Sequence, residues 1–339
     1  MAKAVKLADI AEMVGVSTVT VSKALSGQKG VSEEVREKIR SIAEELGYQQ
    51  PSVARKTQNR KSFNIGILIS ERFLVKYESF YWQMYQAVAT RATAKECFTM
   101  LEVIGKAEEE NSKMPKLVQE RKVDGIIVIG KMMDAYLQHL NTEAGIPVIY
   151  LDYYNGREAS DSVISNSYYG TYELTYYLYR MGHRKIAYVG TLLATESITD
   201  RYFGYQKALL ELGLEQKKEW VLDDRHIETG EIDTVNMLQI PKDMPTAFVC
   251  NCDLTASFLI KKLKENGYRV PEDISVVGFD NYLYPGLSDI QITTYEVDLG
   301  EMAKKTVHNM ISKISNENYK PGIHIVEGHI VLKESVAKI

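Results

Sequence analysis

The sequence predicts an all-helical N-terminal module followed by an α/β core of two doubly wound parallel sheets. Three observations carry this. The first 50 residues hold three short amphipathic helical patterns, a polar and basic stretch runs from Gln49 to Ser62, and Val/Ile-rich runs alternate with helical stretches after Phe63. Apolar strands that read continuously, rather than alternating with polar residues, signal parallel sheets covered by helices on both faces.

The first helix is expected from about Leu7 to Val14, with Ile10, Ala11 and Val14 on one face and Gly15 to stop it. Ser17 is placed to N-cap a second helix reaching about Ser26, with Val21, Ala24 and Leu25 inward. Ser32 can cap a third, Glu33 to Leu46, with Val35, Ile39, Ile42 and Leu46 along one side. The segment QQPSVARKTQNRKS has one proline and no core face, so it reads as a linker. Strands are expected at Ile65–Ile69, Phe98–Ile104, Gly125–Ile129, Pro147–Leu151, Lys185–Gly190, Thr246–Cys250 and Ser275–Phe279. Helices are expected between most of them, among them Tyr81–Ala94, Tyr169–Met181, Arg201–Leu212 and Leu254–Asn266. Ligands of such sheets bind beyond the carboxyl ends of the strands, so the cleft between the two sheets is the expected binding site.

Composition narrows the class. The 339 residues are 45% hydrophobic and 25% charged, which excludes disordered, collagenous and disulfide-rich chains. No apolar run approaches the ~18 residues of a membrane span, so no membrane partner is expected. Met1 to Lys6 lead into a charged amphipathic segment with no apolar h-region, and no secretory signal is expected. Cys97, Cys250 and Cys252 form no disulfide framework, which points to a reducing cytoplasm. The net charge of −4 hides an asymmetry: the first 60 residues hold ten Lys/Arg against seven Asp/Glu, and the rest hold 31 against 38. A basic module on an acidic body suits a polyanionic partner for the module alone.

The strongest motif is a helix–turn–helix. Ala8-Asp9-Ile10-Ala11 starts one helix, Gly15-Val16-Ser17 makes the turn, and Thr18-Val19-Thr20-Val21-Ser22-Lys23 opens the next. The outward face of that second helix is small, polar and β-branched with one terminal cation, which suits a helix entering a major groove.

These residues resemble the LacI/GalR family of bacterial transcription regulators. LADIAEMVGVSTVTVSKALSG followed by VSEEVREKIRSIAEELGY is close to that family's headpiece. The likeness continues through Gly182-His183-Arg184-Lys185-Ile186, through Asp200-Arg201-Tyr202-Phe203-Gly204-Tyr205 and through the block from Val270 to Asp280, and Thr293-Thr294 stands at the family's return strand. The resemblance implies a headpiece at 1–49, a hinge at 50–62 and a periplasmic-binding-protein-like core at 63–339. The core would comprise one subdomain at about 63–164 and 296–322 and another at about 165–294 and 323–339. It further implies a homodimeric repressor that binds a palindromic double-stranded operator under control of a small effector, most simply a sugar or sugar derivative. Two alternatives follow from the same core: a solute-binding receptor, or a regulator controlled by a phosphorylated carrier protein.

Carried onto this chain, the base-reading positions are Thr18, Val19 and Lys23, with Ser17, Thr20 and Ser22 on phosphates. Thr and Val offer methyl groups to thymine, and Lys reaches guanine acceptors, although it lacks the bidentate fork of the arginine common at that position. Ala54 and Arg55 fall in the hinge, where Thr57 replaces the leucine that wedges a base step in the minor groove. Less apolar area at Thr57 predicts a weaker bend. In the core, Arg201 is placed to clamp hydroxyls or an anion with its planar fork, and Asp280, just after an apolar strand, to accept two hydroxyl hydrogen bonds. Phe80, Tyr81, Ser197, Asn251 and Asp253 follow by position. Cys252 and Ser165 replace residues common in the family, which loosens transfer of ligand identity.

Enzymatic readings find no support in the residues. Gly125-Ile-Ile-Val-Ile-Gly130-Lys131 matches the start of a phosphate loop, but Met132 stands where a magnesium-binding Ser or Thr belongs. Cys250-x-Cys252 lacks a second ligand pair for zinc, and no nucleophile elbow occurs. No cofactor, no metal and no catalytic residue is expected. His183 is expected to be structural.

Overall fold

The fold comes from a computed structural model. The structure describes residues 7–25, 28, 30–46, 48, 62–74, 79–155, 161–227, 229–233, 235–282, 288–316 and 319–339. It divides into two compact units, Met1–Ser62 and Phe63–Ile339.

The first unit contains α1 (Leu7–Val14), α2 (Thr18–Leu25) and α3 (Glu33–Glu45). Gly15, at φ +75°, ends α1 in the left-handed conformation that glycine adopts without a Cβ clash. The Ser17 hydroxyl accepts from the Thr20 N–H at 3.1 Å, satisfying one of the orphan donors at the start of α2. Ile10, Ala11, Val21, Ala24, Ile39 and Ala43 form the core. Arg36 does work that the pattern of apolar residues did not reveal. Its guanidinium donates to the Ala24 carbonyl at 3.0 Å and the Gln28 carbonyl at 2.9 Å. Ala24 lies in the last turn of α2 and Gln28 just beyond it, so Arg36 ties the end of α2 to α3.

The second unit has two lobes. The first lobe carries β1 (Asn64–Ser70), α4 (Phe80–Thr93), β2 (Phe98–Ile104), α5 (Lys106–Glu110), α6 (Lys116–Gln119), β3 (Gly125–Ile129), α7 (Asp134–Glu143), β4 (Val148–Leu151) and β5 (Ser162–Ser165). The second carries α8 (Ser167–Arg180), β6 (Ile186–Val189), α9 (Glu196–Leu212), β7 (Val221–Leu222), β8 (Ala247–Cys250), α10 (Asp253–Glu265), β9 (Ser275–Asp280) and β10 (Thr293–Glu296). The chain then returns through α11 (Leu299–Ile314) and β11 (Ile323–Val326) to the first lobe and finishes with β12 (His329–Val331) in the second. The strand orders are β11-β5-β4-β3-β1-β2 and β12-β10-β9-β8-β6-β7. Every pair is parallel except β10 with β12.

The continuous apolar runs have a simple cause. All five residues of β3 are buried, because α11 and α4 cover one face of the sheet while Leu137, Leu140 and Val123 cover the other. One expected boundary needs correction. The last crossing between lobes falls at residues 327–328, not after 322, because Ile323–Val326 pairs with Ser162–Ser165 along the edge of the first sheet. In the second lobe, α9 passes α8 so closely that a Cβ on Gly204 would stand 2.0 Å from the Tyr168 carbonyl oxygen. This approach brings Arg201, one turn earlier on α9, against Ser167 at the start of α8.

Candidate nucleic-acid interface and ligand cleft

Val21 and Ala24 anchor α2 in the core, which leaves Thr18, Val19, Ser22 and Lys23 on its exposed side. Val19 is 61% exposed, which leaves its methyl groups open to contact with another apolar group. Ser17 and Thr20 are turned to each other, their hydroxyls 2.9 Å apart, so the first serves α2 itself. Ala54, Arg55 and Thr57 lie outside the described residues.

In the second unit the carboxyl ends of the strands face each other across a cleft. Arg201 is its most heavily bonded group. It donates to Ser167 Oγ at 3.3 Å, to the Asn251 carbonyl at 2.5 Å and to Asp280 Oδ1 at 3.3 Å, and its guanidinium lies 3.8 Å from the centre of the Phe279 ring. From the first lobe, the Tyr81 hydroxyl donates to Asp152 Oδ2 at 3.2 Å, and the Phe80 ring meets Tyr282 edge-on at 6.4 Å. A small pocket of about 10 Å³, room for about one water molecule, lies between the lobes, with Asp152 and Tyr154 on one side and Ser167, Ser197 and Asp200 on the other.

Phe80, Tyr81, Ser197, Arg201 and Asp280 therefore converge on the cleft, whereas two expected members point elsewhere. Asn251 turns its carboxamide into a buried network, donating to Asp224 Oδ2 at 2.8 Å and accepting from Arg225 Nη2 at 3.0 Å. Asp253 lies against β9: a Cβ on Gly278 would fall 1.9 Å from its Oδ1, and its Oδ2 accepts from the Tyr282 N–H at 2.9 Å. The Asn251 side chain is fully occupied in shaping the turn after β8, whereas Asp253 holds the end of β9 through Oδ2 and keeps a buried Oδ1 with no hydrogen-bond partner among the described residues.

The structure adds residues that sequence reasoning missed. Asp152 follows the apolar strand β4 just as Asp280 ends β9, so the rule that singled out one could have found the other. Asp152 has φ +60° and Asp280 φ +99°. The second value is a strained backbone, a feature that costs about 1–3 kcal/mol and gathers at binding sites. Asp224 is fully buried and grips Arg225 with two hydrogen bonds of 3.0 and 2.7 Å. Burial opposes its ionisation, but Arg225, Thr255 and Asn251 outweigh that and hold the carboxyl below its ordinary range. His183 ties the turn after α8 to the C-terminus, with Thr246 Oγ1 at 3.0 Å and the Ala337 carbonyl at 3.1 Å.

Burial pushes the Asp280 carboxyl up to about 7, with Arg201 opposing and Asp152 reinforcing the rise. An unfolded aspartate ionises near 3.9. The folded chain therefore keeps this proton between about pH 4 and 7 while the unfolded chain has lost it. Through that window the group's contribution to stability falls as pH rises. Asp280→Asn is expected to remove part of this slope, read as a urea midpoint that declines less between pH 5 and 7.5 than in the parent. Equal slopes in the two proteins would contradict a protonated, buried carboxyl.

A helix–turn–helix unit on the same chain as a two-lobed cleft defines a class, the ligand-responsive regulators of transcription. Residues 6–51 match the model for bacterial regulatory proteins of the lacI family, and residues 175–336 the model for the periplasmic binding protein-like domain. The chain thus joins a lacI-type helix–turn–helix domain to a periplasmic-binding-protein-like domain. The HTH-type transcriptional repressor PurR of Aliivibrio salmonicida is 27% identical over 334 residues, covering 98% of both chains. The ribose operon repressor of Haemophilus influenzae is 28% identical over 334 residues, covering 97% of each. Among solved structures, a transcriptional regulator CelR–cellobiose complex gives a TM-score of 0.68 at 24% identity, covering 98% of this chain and 99% of that one. The lac repressor dimer bound to operator and an anti-inducer gives 0.67 at 23%, covering 99% and 100%. At these identities the structures testify to the fold.

Proposed function

We propose that this protein is a homodimeric, cytoplasmic repressor that binds a palindromic operator and answers to a carbohydrate effector held between the lobes of its core. It works by binding rather than catalysis. Residues 1–49 form the headpiece, 50–62 the hinge and 63–339 the core, with Thr18, Val19 and Lys23 reading bases, and Arg55 and Thr57 of the hinge meeting the minor groove. The observation that carries the ligand reading is the pairing of Arg201 with Asp280 at the carboxyl end of β9, opposite Tyr81 and Asp152. A guanidinium beside carboxylates offers a sugar both donors and acceptors for vicinal hydroxyls, and the Phe80 and Tyr81 rings offer flat apolar faces. The names of the relatives support the same reading: one is a ribose operon repressor, and one solved neighbour is a complex with cellobiose.

Dimerisation follows from contact number. One headpiece touches few phosphates, whereas two on a palindrome add their contacts at high effective concentration. A ligand that favours one lobe arrangement is linked reciprocally to DNA affinity, typically by ~1–3 kcal/mol. A thermal-shift screen of sugars, sugar phosphates and purines tests the cleft. A sugar at a hundredfold excess over its Kd is expected to stabilise the core by ~2.7 kcal/mol. A shift from purines alone would overturn the carbohydrate assignment.

A further inference from the structure

The first lobe contains a buried carboxylate between the end of β1 and the start of α7. Glu109, on α5, is 3% exposed. Its oxygens accept from the Ser70 hydroxyl, from the Met133 N–H at 2.9 Å, and pair with Arg72 Nη2 at 3.7 Å. The cost of burying this charge is offset by those three partners, and in return the carboxylate holds the Arg72 side chain in one place.

Arg72 uses that position to reach outward. Its Nη2 donates to the Lys131 carbonyl at 2.5 Å, just after β3, and its Nη1 donates to the Thr229 carbonyl at 2.8 Å in the second lobe. The Lys131 ammonium, on the backbone that Arg72 grips, pairs with Glu196 Oε1 at 3.2 Å in the first turn of α9, also in the second lobe. Two crossings thus leave one buried anchor. Both side chains of the Lys131–Glu196 pair are only about one-quarter exposed, at 23% and 26%. Glu196 also lines the small pocket between the lobes.

We propose that Arg72 is a positioning residue of the cleft: anchored on Glu109, it and Lys131 clasp the second lobe at Thr229 and Glu196 and hold the lobes together before a ligand arrives. The clasp sets how much of the protein is already in the closed arrangement, and apparent effector affinity scales with that fraction. It stands whatever the chemistry of the effector, because every contact in it lies within the chain.

Hydrogen–deuterium exchange on the full-length, ligand-free protein tests this directly. Arg72→Ala is expected to speed exchange at least about tenfold in both segments that the clasp joins, 131–137 of the first lobe and 229–233 of the second, while β9 keeps its protection. Arg72→Lys, which can reach one carbonyl but not both, is expected to fall between. Glu196→Gln changes a partly exposed side chain of the second lobe and is expected to loosen 131–137 in the first without touching 106–110. Acceleration confined to the first lobe in Arg72→Ala would show that Arg72 serves only its own lobe. An unchanged first lobe in Glu196→Gln would likewise overturn the clasp, including in the case where Arg72→Ala does not fold.

Discussion

Arg201→Ala is expected to abolish the effector response while leaving operator recognition in place, and to destabilise the core. Arg201 is 5% exposed and holds three partners from three elements: Ser167 at the start of α8, the Asn251 carbonyl after β8, and Asp280 at the end of β9. Removing one member of a buried ion pair costs about 3–5 kcal/mol because the other charge is left without compensation. Here the cost depends on pH. Asp280 already titrates at about 7, chiefly through burial, with Arg201 holding it down. Without Arg201 the carboxyl takes up a proton more readily, so the loss is expected to be largest near pH 8 and smaller at pH 6. Adding Asp280→Asn to Arg201→Ala is expected to recover part of the stability at pH 8 but none of the ligand response. Effector affinity should fall by more than about a hundredfold, since two or more charge-assisted hydrogen bonds are lost at once. Isothermal titration with whichever sugar stabilises the parent reads the affinity, and urea unfolding at the two pH values reads the rest. A variant that keeps full effector response would remove Arg201 from the ligand's contacts.

Lys23→Ala is expected to act on the other function alone. Lys23 stands in the last turn of α2, on the exposed side opposite the buried Val21 and Ala24. A base contact is worth about 1–3 kcal/mol, and a dimer on a palindrome makes it twice. Operator affinity should therefore fall by about thirtyfold or more, while affinity for random duplex at the same salt changes by less than about threefold. Equal loss on both duplexes would make Lys23 a phosphate contact, and the slope of affinity against salt would then shrink by about one per headpiece. Thermal stability should change little, since the side chain lies on the exposed side of α2, away from the buried Val21 and Ala24.

Much of this architecture was legible in the residues, and the limits have physical causes. The three headpiece helices announce themselves because each buries one stripe and meets a glycine or a capping serine, as at Gly15 and Ser17. Of the seven expected strands, all but β2 were legible as continuous apolar runs because they are buried on both faces. Strand β2, half-exposed at the sheet edge, was legible from its apolar composition alone. Strands β5, β7, β11 and β12 were not: they have two to four residues each, with polar ends or exposed edges such as Ile323 and Ile325, and so carry no periodic signal. The missing β11 also explains the misplaced lobe boundary.

At the cleft, Asp280 could be read from its place at the end of an apolar strand, and Arg201 from the resemblance, since it stands in the second turn of α9, which begins at Glu196 and not at Arg201 as the pattern suggested. The fates of Asn251 and Asp253 could not. Which of three successive side chains after β8 faces the cleft depends on the turn, and the turn depends on Asp224, Arg225 and Gly278, far away in sequence. Glu109 and Arg72 lay equally out of reach. A charged residue on a five-residue helix reads as surface until the tertiary fold closes over it.

The account depends on a second helix, presented outward by its buried face, entering successive major grooves of one duplex in two copies. Footprinting of the full-length protein on fragments of its own genome tests that most directly. The predicted result is a protected palindrome whose half-sites lie about one helical turn apart, with an affinity altered by a carbohydrate and lost specifically in Lys23→Ala. A protein that remains monomeric and protects no duplex, with or without sugars, would contradict it.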